Sequence, residues 1–296
     1  MGIAGRLALI VLFAGTSLAG ARAQQGQDDD RPAARERDAQ PAERDADRAA
    51  RLIELGARFL LSAEEREGGW SRESGPGVTA LVVRALAQTR SVGPRHAAVR
   101  RGIDAALAMQ RDDGGVYGAE GLLRNYESSV VLGMLATVDP QAHEARIARL
   151  QKFLIDNQWD ESEDVSLDNP WYGGAGYGRG KRPDLSNTQI MLEALHDSGL
   201  PKDHPAYERA LTFIARCQML GERNDQPFAR GSTQGGFIYS PAGGGESKAG
   251  EIEIGGRREL RAYGTMTYAG FKSLLYCGLE RDDPRVRAAL DWITQY

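Results

Sequence analysis

The sequence predicts an all-α protein, an α/α toroid of about four and a half helical-hairpin repeats, with closure of the ring left open. Three observations carry that prediction. A residue pair spaced by five recurs as Phe59/Glu64, Ala105/Gln110, Phe153/Gln158 and Phe213/Gln218, and Trp292 opens a fifth copy. A double-glycine loop follows each pair: Gly68-Gly69-Trp70, Gly114-Gly115-Val116-Tyr117, Gly173-Gly174 to Tyr177, and Gly235-Gly236-Phe237. An apolar helix and a short Pro- or Gly-bearing link then close each unit. Self-similarity at such a period is the mark of a repeat architecture, in which each unit buries its apolar face on its neighbours.

The N-terminus comes first. Arg6, the apolar run Leu7–Leu18 and the small-x-small site Ala21-Arg22-Ala23 predict a cleavable signal peptide over residues 1–23. The protein is therefore expected in the periplasm or secreted. The run is short for a membrane span, so no transmembrane segment is expected after cleavage. Residues 24–48 hold Gln, Asp, Arg, Ala and Pro with almost no large apolar side chain, and read as a disordered mixed-charge linker. Residues 49–296 remain for the repeat domain. The net charge of −4, with no basic stripe, argues against nucleic acid as a partner.

Within the repeats the first helices are amphipathic. Val99, Ile103 and Leu107 alternate with Arg100, Arg101 and Asp104, and Ile147, Leu150 and Leu154 with Arg146, Arg149 and Lys152. The second helices are expected near Val78–Thr89, Glu127–Thr137, Asn187–Ser198 and Thr265–Cys277, and are apolar nearly all round. Amphipathic helices belong outside and apolar ones inside, which gives two concentric rings; an open superhelical solenoid is the alternative. The clearest copy is Trp171–Pro201. Ser186 and Gln189 read as a capping box, Leu185 and Ile190 as its hydrophobic staple, and Gly199-Leu200-Pro201 as a left-handed stop. The insertion Gly221–Leu260 in the fourth repeat reads equally as a lid or a mobile surface loop. Cys217 and Cys277 sit late in separate helical segments and are expected as buried free thiols. Trp292 opens an outer helix whose loop and inner helix are missing, so the chain is truncated, a partner fills the gap, or the ring is open.

The segment Arg101-Gly102 through Leu107 and Gln110 to Gly114 resembles the QW-type repeat of squalene cyclases and protein prenyltransferase β subunits, the prenyltransferase/squalene-oxidase repeat. Arg209-Ala210 through Phe213 to Gln218, Phe153 to Gln158-Trp159 and Phe59 to Gly69-Trp70 are similar. That resemblance implies inner helices around a deep apolar cavity, with the Gln and aromatic of each motif tying neighbouring outer helices together. Gln110, Gln158, Gln218 and Trp70 are then packing residues.

In such a ring the inner helices run parallel and their N-termini meet at one mouth. Residues expected there are Thr79; Arg124, Asn125 and Glu127; Asp184, Asn187 and Gln189; and Arg261, Tyr263, Thr265 and Thr267. Trp171, Tyr172 and Tyr177 would wall it. The candidate ligand-binding set is Arg124, Asn125, Trp171, Tyr177, Asn187, Gln189, Tyr263 and Thr267. Asp184 stands before an inner helix, as the protonating aspartates do in the class II terpenoid cyclases this chain resembles, and Glu127 would be its base. Asp184 lacks the second and third carboxylates of that chemistry, and Lys181 and Arg182 beside it predict that it sits ionised, as a helix-start anion or in an ion pair. The zinc site of the similar prenyltransferases needs an aspartate, a cysteine and a histidine. Neither cysteine sits in an Asp-x-Cys pattern, and His96, His143, His196 and His204 are not spaced as pairs, so no metal and no cofactor are expected. The expectation is an exported protein that binds an apolar or extended ligand, a lipid, an isoprenoid or a protein segment, in a central cavity without cyclase or prenyltransferase chemistry. The alternatives are a cyclase- or lyase-like enzyme using Asp184 and Glu127, and a structural module for protein–protein contact.

Overall fold

The computed structural model describes residues 32–296 apart from Arg179, with residues 32–44 described as backbone alone. The expected signal peptide and the first part of the expected linker lie outside the described residues. The rest of that linker is helical: α1 (Pro32–Ser62) runs unbroken into the first repeat. Its Ala, Arg and Glu content favours helix, and extending a helix already nucleated at its apolar end costs little.

Nine α-helices follow in chain order among the described residues. After α1 come α2 (Gly77–Ala87), α3 (Ala97–Leu107), α4 (Arg124–Val138), α5 (Glu144–Ile155), α6 (Leu185–Asp197), α7 (Pro205–Cys217), α8 (Gly264–Tyr276) and α9 (Pro284–Gln295). Side-chain caps begin the outer helices: His96, His204 and Asp283 each accept from a backbone amide two residues on. Pro205 and Pro284 occupy first-turn positions, where no amide hydrogen is needed. The outer helices α3, α5, α7 and α9 bury one stripe each, whereas α4 is buried from Glu127 to Leu135.

The inner helices pack in the order α2–α4–α6–α8, and α3, α5, α7 and α9 each lie against an inner one. This is the two-ring arrangement the repeat predicts. Packing between α8 and α2 is not among the principal helix contacts, so the described residues form an arc with one seam. Tyr268 and Leu275 on α8 are exposed.

The repeat signature is a stitching device. Gln158 Nε2 donates to the Gly173 carbonyl of its own loop and to the Ala206 carbonyl of the next outer helix, at 2.9 and 3.0 Å. Gln218 does the same to Gly235 and Arg285, at 2.8 and 2.9 Å. The first glycine of the loop is required by geometry: Gly173 has φ +80°, and a Cβ there would collide with the Arg209 carbonyl of α7. In the first repeat Glu64 replaces the glutamine and pairs with Arg101 of α3 instead.

Two local expectations change. The cap of α6 is Asp184, whose carboxylate accepts from the Asn187 amide, so Ser186 lies in the first turn and forms no capping box with Gln189. Leu185, accordingly, is the first helical residue and not a staple partner. An aspartate in the extended conformation outcompetes the later serine because its carboxylate accepts both the backbone amide and the amide side chain of Asn187. The far end of α6 forms as predicted: Gly199 at φ +80° and Leu200 return bonds to His196 and Leu195, the Schellman pattern. The insertion is ordered rather than mobile. Ile238 and Ala229 bury against Met219 and Ala262, and a hairpin of β1 (Glu251–Ile254) and β2 (Arg257–Leu260) turns on Gly255-Gly256, both at positive φ. Cys217 is buried, Cys277 is half-buried, and both are free thiols.

Candidate functional site

The loop end of each inner helix is fixed by one recurring contact. A hydroxyl in its early turns accepts from the backbone just after the double glycine: Thr79 from Trp70, Ser128 from Val116, Thr188 from Ala175 and Thr267 from Phe237, at 2.9 to 3.1 Å. Thr267 is fully buried and committed to that bond, so it is a structural residue and not a ligand contact. Ser128 and Thr188 are its equivalents that the sequence reading missed. Their signal was available as a hydroxyl residue in the early turns of each apolar helix after the glycine loop.

These loops join side by side into a rim. The Asn125 amide bonds the Tyr177 carbonyl at 3.1 Å, and the Asn125 side chain bonds Gly176 at 3.0 Å. The Leu185 amide bonds the Tyr239 carbonyl at 2.8 Å, and Ser240 Oγ bonds the Pro183 carbonyl at 2.8 Å. The insertion therefore roofs the start of α6.

Under that roof lies Asp184, 3% exposed. Its two oxygens accept from the Asn187 backbone amide at 2.9 Å and side-chain amide at 2.7 Å. Burial holds this carboxyl above the usual aspartate range, against the lowering effect of the Asn187 bonds and of the Tyr239 hydroxyl beside it. The expected ion pair with Arg182 does not form; Arg182 pairs with Glu246 of the insertion. Burial and the nearby Asp184 charge push the Tyr239 phenol strongly upward and raise Tyr263 to about 12. Tyr177 is exposed and packs against Tyr126 of α4 at 6.4 Å between ring centroids. Tyr239 thus lies against Asp184, Tyr263 stands close enough to feel its charge, and Tyr239 and Tyr126 each meet Tyr177; Tyr126 and Tyr239 were not foreseen.

Glu127 belongs to a different junction. Its carboxylate accepts from the Gly118 amide at 2.9 Å and lies against Gly75 and Gly77 of the first repeat. Burial raises it, against the Gly118 bond. Among the described residues none of its contacts is shared with Asp184.

The remaining candidates scatter. Arg124 points outward to Asn157 at 3.0 Å and over the Phe153 ring at 5.2 Å. Trp171 packs edge-on against Trp159 at 5.0 Å. Gln189 donates to Glu193 within α6 at 2.7 Å. Asn125 and Asn187 stay at the rim, each with a buried side-chain oxygen that has no protein partner.

The inner face differs from the deep apolar cavity that the resemblance implies. Arg84 of α2 reaches across Gly133 of α4 to Glu193 and Asp197 of α6, at 3.5 and 2.7 Å. Lys272 of α8 reaches the same Glu193 at 2.9 Å. Charged spokes cross the centre. Two clefts of about 440 and 310 Å³ open elsewhere, beside Arg223, Asp225 and Arg285.

No protein-family model matches the chain, and no curated protein matches it. Solved structures do. An ent-copalyl diphosphate synthase from Streptomyces platensis superposes with a TM-score of 0.53 at 17% identity, over 81% of this chain and 39% of that one. A type II terpene cyclase from Scytonema gives 0.49 at 15% identity, over 82% of this chain and 60% of that one. The chain thus spans less than two thirds of the length of either. The fold is the α/α toroid of the terpenoid cyclases.

Proposed function

We propose that this is an exported, non-catalytic binding protein that holds an extended ligand, a lipid, an isoprenoid or a protein segment, at the tyrosine-lined rim. One observation carries the reading: a row of phenols, Tyr263, Tyr239, Tyr177 and Tyr126, begins at a buried carboxylate whose oxygens are already held by Asn187, and no second carboxylate bonds it among the described residues. Phenol rings offer flat apolar surface with a polar edge, which suits an elongated ligand better than proton transfer does. The charged spokes across the centre support placing the ligand at the rim instead of in a central cavity. Export is part of the same proposal and rests on the N-terminal sequence.

Organic extraction of the protein purified from its native envelope, followed by mass analysis, should release a co-purifying lipid or isoprenoid, and peptide mapping of the same sample a bound segment. Tyr177→Ala should lower the recovered amount several-fold at unchanged folding. Recovery of neither ligand class, or equal recovery from the variant, would sink the reading.

An enzyme remains the second reading, favoured by the upward shift of the buried Asp184 carboxyl, the direction a general acid requires. Cyclic product from a polyprenyl diphosphate, lost in Asp184→Asn, would establish it.

A further inference from the structure

In α3, α5 and α7 the same three positions are buried. Val99, Gly102 and Ala105 of α3 are buried, as are Ile147, Leu150 and Phe153 of α5 and Tyr207, Ala210 and Phe213 of α7. On α9 Val286 and Ala289 are buried likewise. The equivalents on α1 are Ile53, Gly56 and Phe59, and these are bare: Ile53 is 55% and Phe59 59% exposed. Leu52 and Leu55 extend the face at 60% and 51%. A Cβ at Gly56 would meet nothing within 4 Å, whereas one at the equivalent Gly102 would strike Val83 and Trp70. A glycine inside a helix costs about 1 kcal/mol relative to alanine. At Gly102 close packing accounts for it; at Gly56 the described residues supply no neighbour.

We propose that this face is a homodimer interface, in which two copies of α1 pair antiparallel about a two-fold axis passing between Leu55 and Gly56. The occupant follows from the order of side chains. Residues 52, 55, 56 and 59 lie on one helical face, and reversal about that midpoint exchanges Leu52 with Phe59 and Leu55 with Gly56. Each leucine knob then enters the space over the partner's glycine, and each Leu52 covers the partner's Phe59. Such self-complementarity is what an isologous two-fold contact requires. The repeat domain packs on the opposite side of α1 through Ala57 and Leu61, so the two bodies stand clear of each other. The interface does not depend on what the rim binds.

Light scattering on the mature protein should give twice the chain mass at micromolar concentration. Leu55→Asp should weaken the dimer about thirty-fold or more, the effect of losing a central anchor. Its circular dichroism and melting should stay those of the parent, since Leu55 faces away from the fold. As a second measure, Leu55→Cys should cross-link between copies under mild oxidation while Ser62→Cys should not. A monomer at 100 µM overturns the proposal and leaves the face to a different partner, as does a dimer that survives Leu55→Asp.

Discussion

At the scale of single residues, Asp184 is the informative case. Its carboxylate caps α6 and binds the side chain of Asn187 in a site 3% exposed. Asp184→Ala removes a helix cap and leaves a buried amide without its acceptor. The expected loss is about 2 to 3 kcal/mol in urea unfolding. Asp184→Asn keeps a capping oxygen and should lose less, while Ser186→Ala should fall within about 0.5 kcal/mol of the parent because Ser186 is not the cap. If Ser186→Ala proved the more damaging, the helix start placed at Asp184 would be wrong. Gly173 offers a second test. At φ +80° and against the Arg209 carbonyl, alanine meets both backbone strain and a collision. At Gly199, also φ +80°, the space is open and only the strain of about 1 to 2 kcal/mol applies. Gly173→Ala should therefore lower the melting temperature clearly more than Gly199→Ala.

At the scale of elements, the inner helices carry the least expected finding, a charged bridge across helices otherwise apolar. Burial of Glu193 would raise its carboxyl, but Lys272, Arg84 and the Gln189 amide outweigh that and hold it below the usual range. A depressed carboxyl stabilises the fold above its unfolded value near 4.5 and loses that contribution as pH falls through its folded value. Glu193→Gln should thus cost about 1 to 2 kcal/mol at pH 7. That difference should shrink as denaturation is measured at pH values progressively below about 4.5. A difference that stays constant into acid would mean that the bridge contributes nothing through charge. The recurring hydroxyls show the opposite kind of economy. Thr79, Ser128, Thr188 and Thr267 each bind the residue after the double glycine, so one contact sets how every inner helix enters the ring.

At the scale of the whole molecule, the arc follows one rule at three of its four junctions: Gln158 and Gln218 tie their own glycine loops to the next outer helix and Glu64 reaches α3 through a salt bridge, while the buried Gln110 side-chain nitrogen has no partner among the described residues. The rule also explains both unfinished edges, since α1 has no loop before it and α8 has no inner helix after it among the described residues. Edges of this kind are where an arc of repeats meets something else, which is why the dimer and ligand experiments belong together. A dimer through α1 would leave the rim free. The fold shared with the diphosphate synthase settles the architecture and leaves the chemistry to the rim residues.

The packing role of Gln158 and Gln218 was implied by the family resemblance; the sequence by itself determined the repeat, the helices of both rings and the left-handed stop at Gly199. These depend on local propensity and on a period, and both are written in the order of residues. Only the tertiary structure decided which candidates meet. It separated Glu127 from Asp184, turned Arg124 outward and brought Tyr239 from an insertion onto the start of α6. It also joined Arg84, Glu193 and Lys272 across three helices. Those meetings depend on the curvature of the arc and the direction of long side chains, which no spacing along one chain encodes. The meeting of the loops was legible; which side chains meet there required the fold.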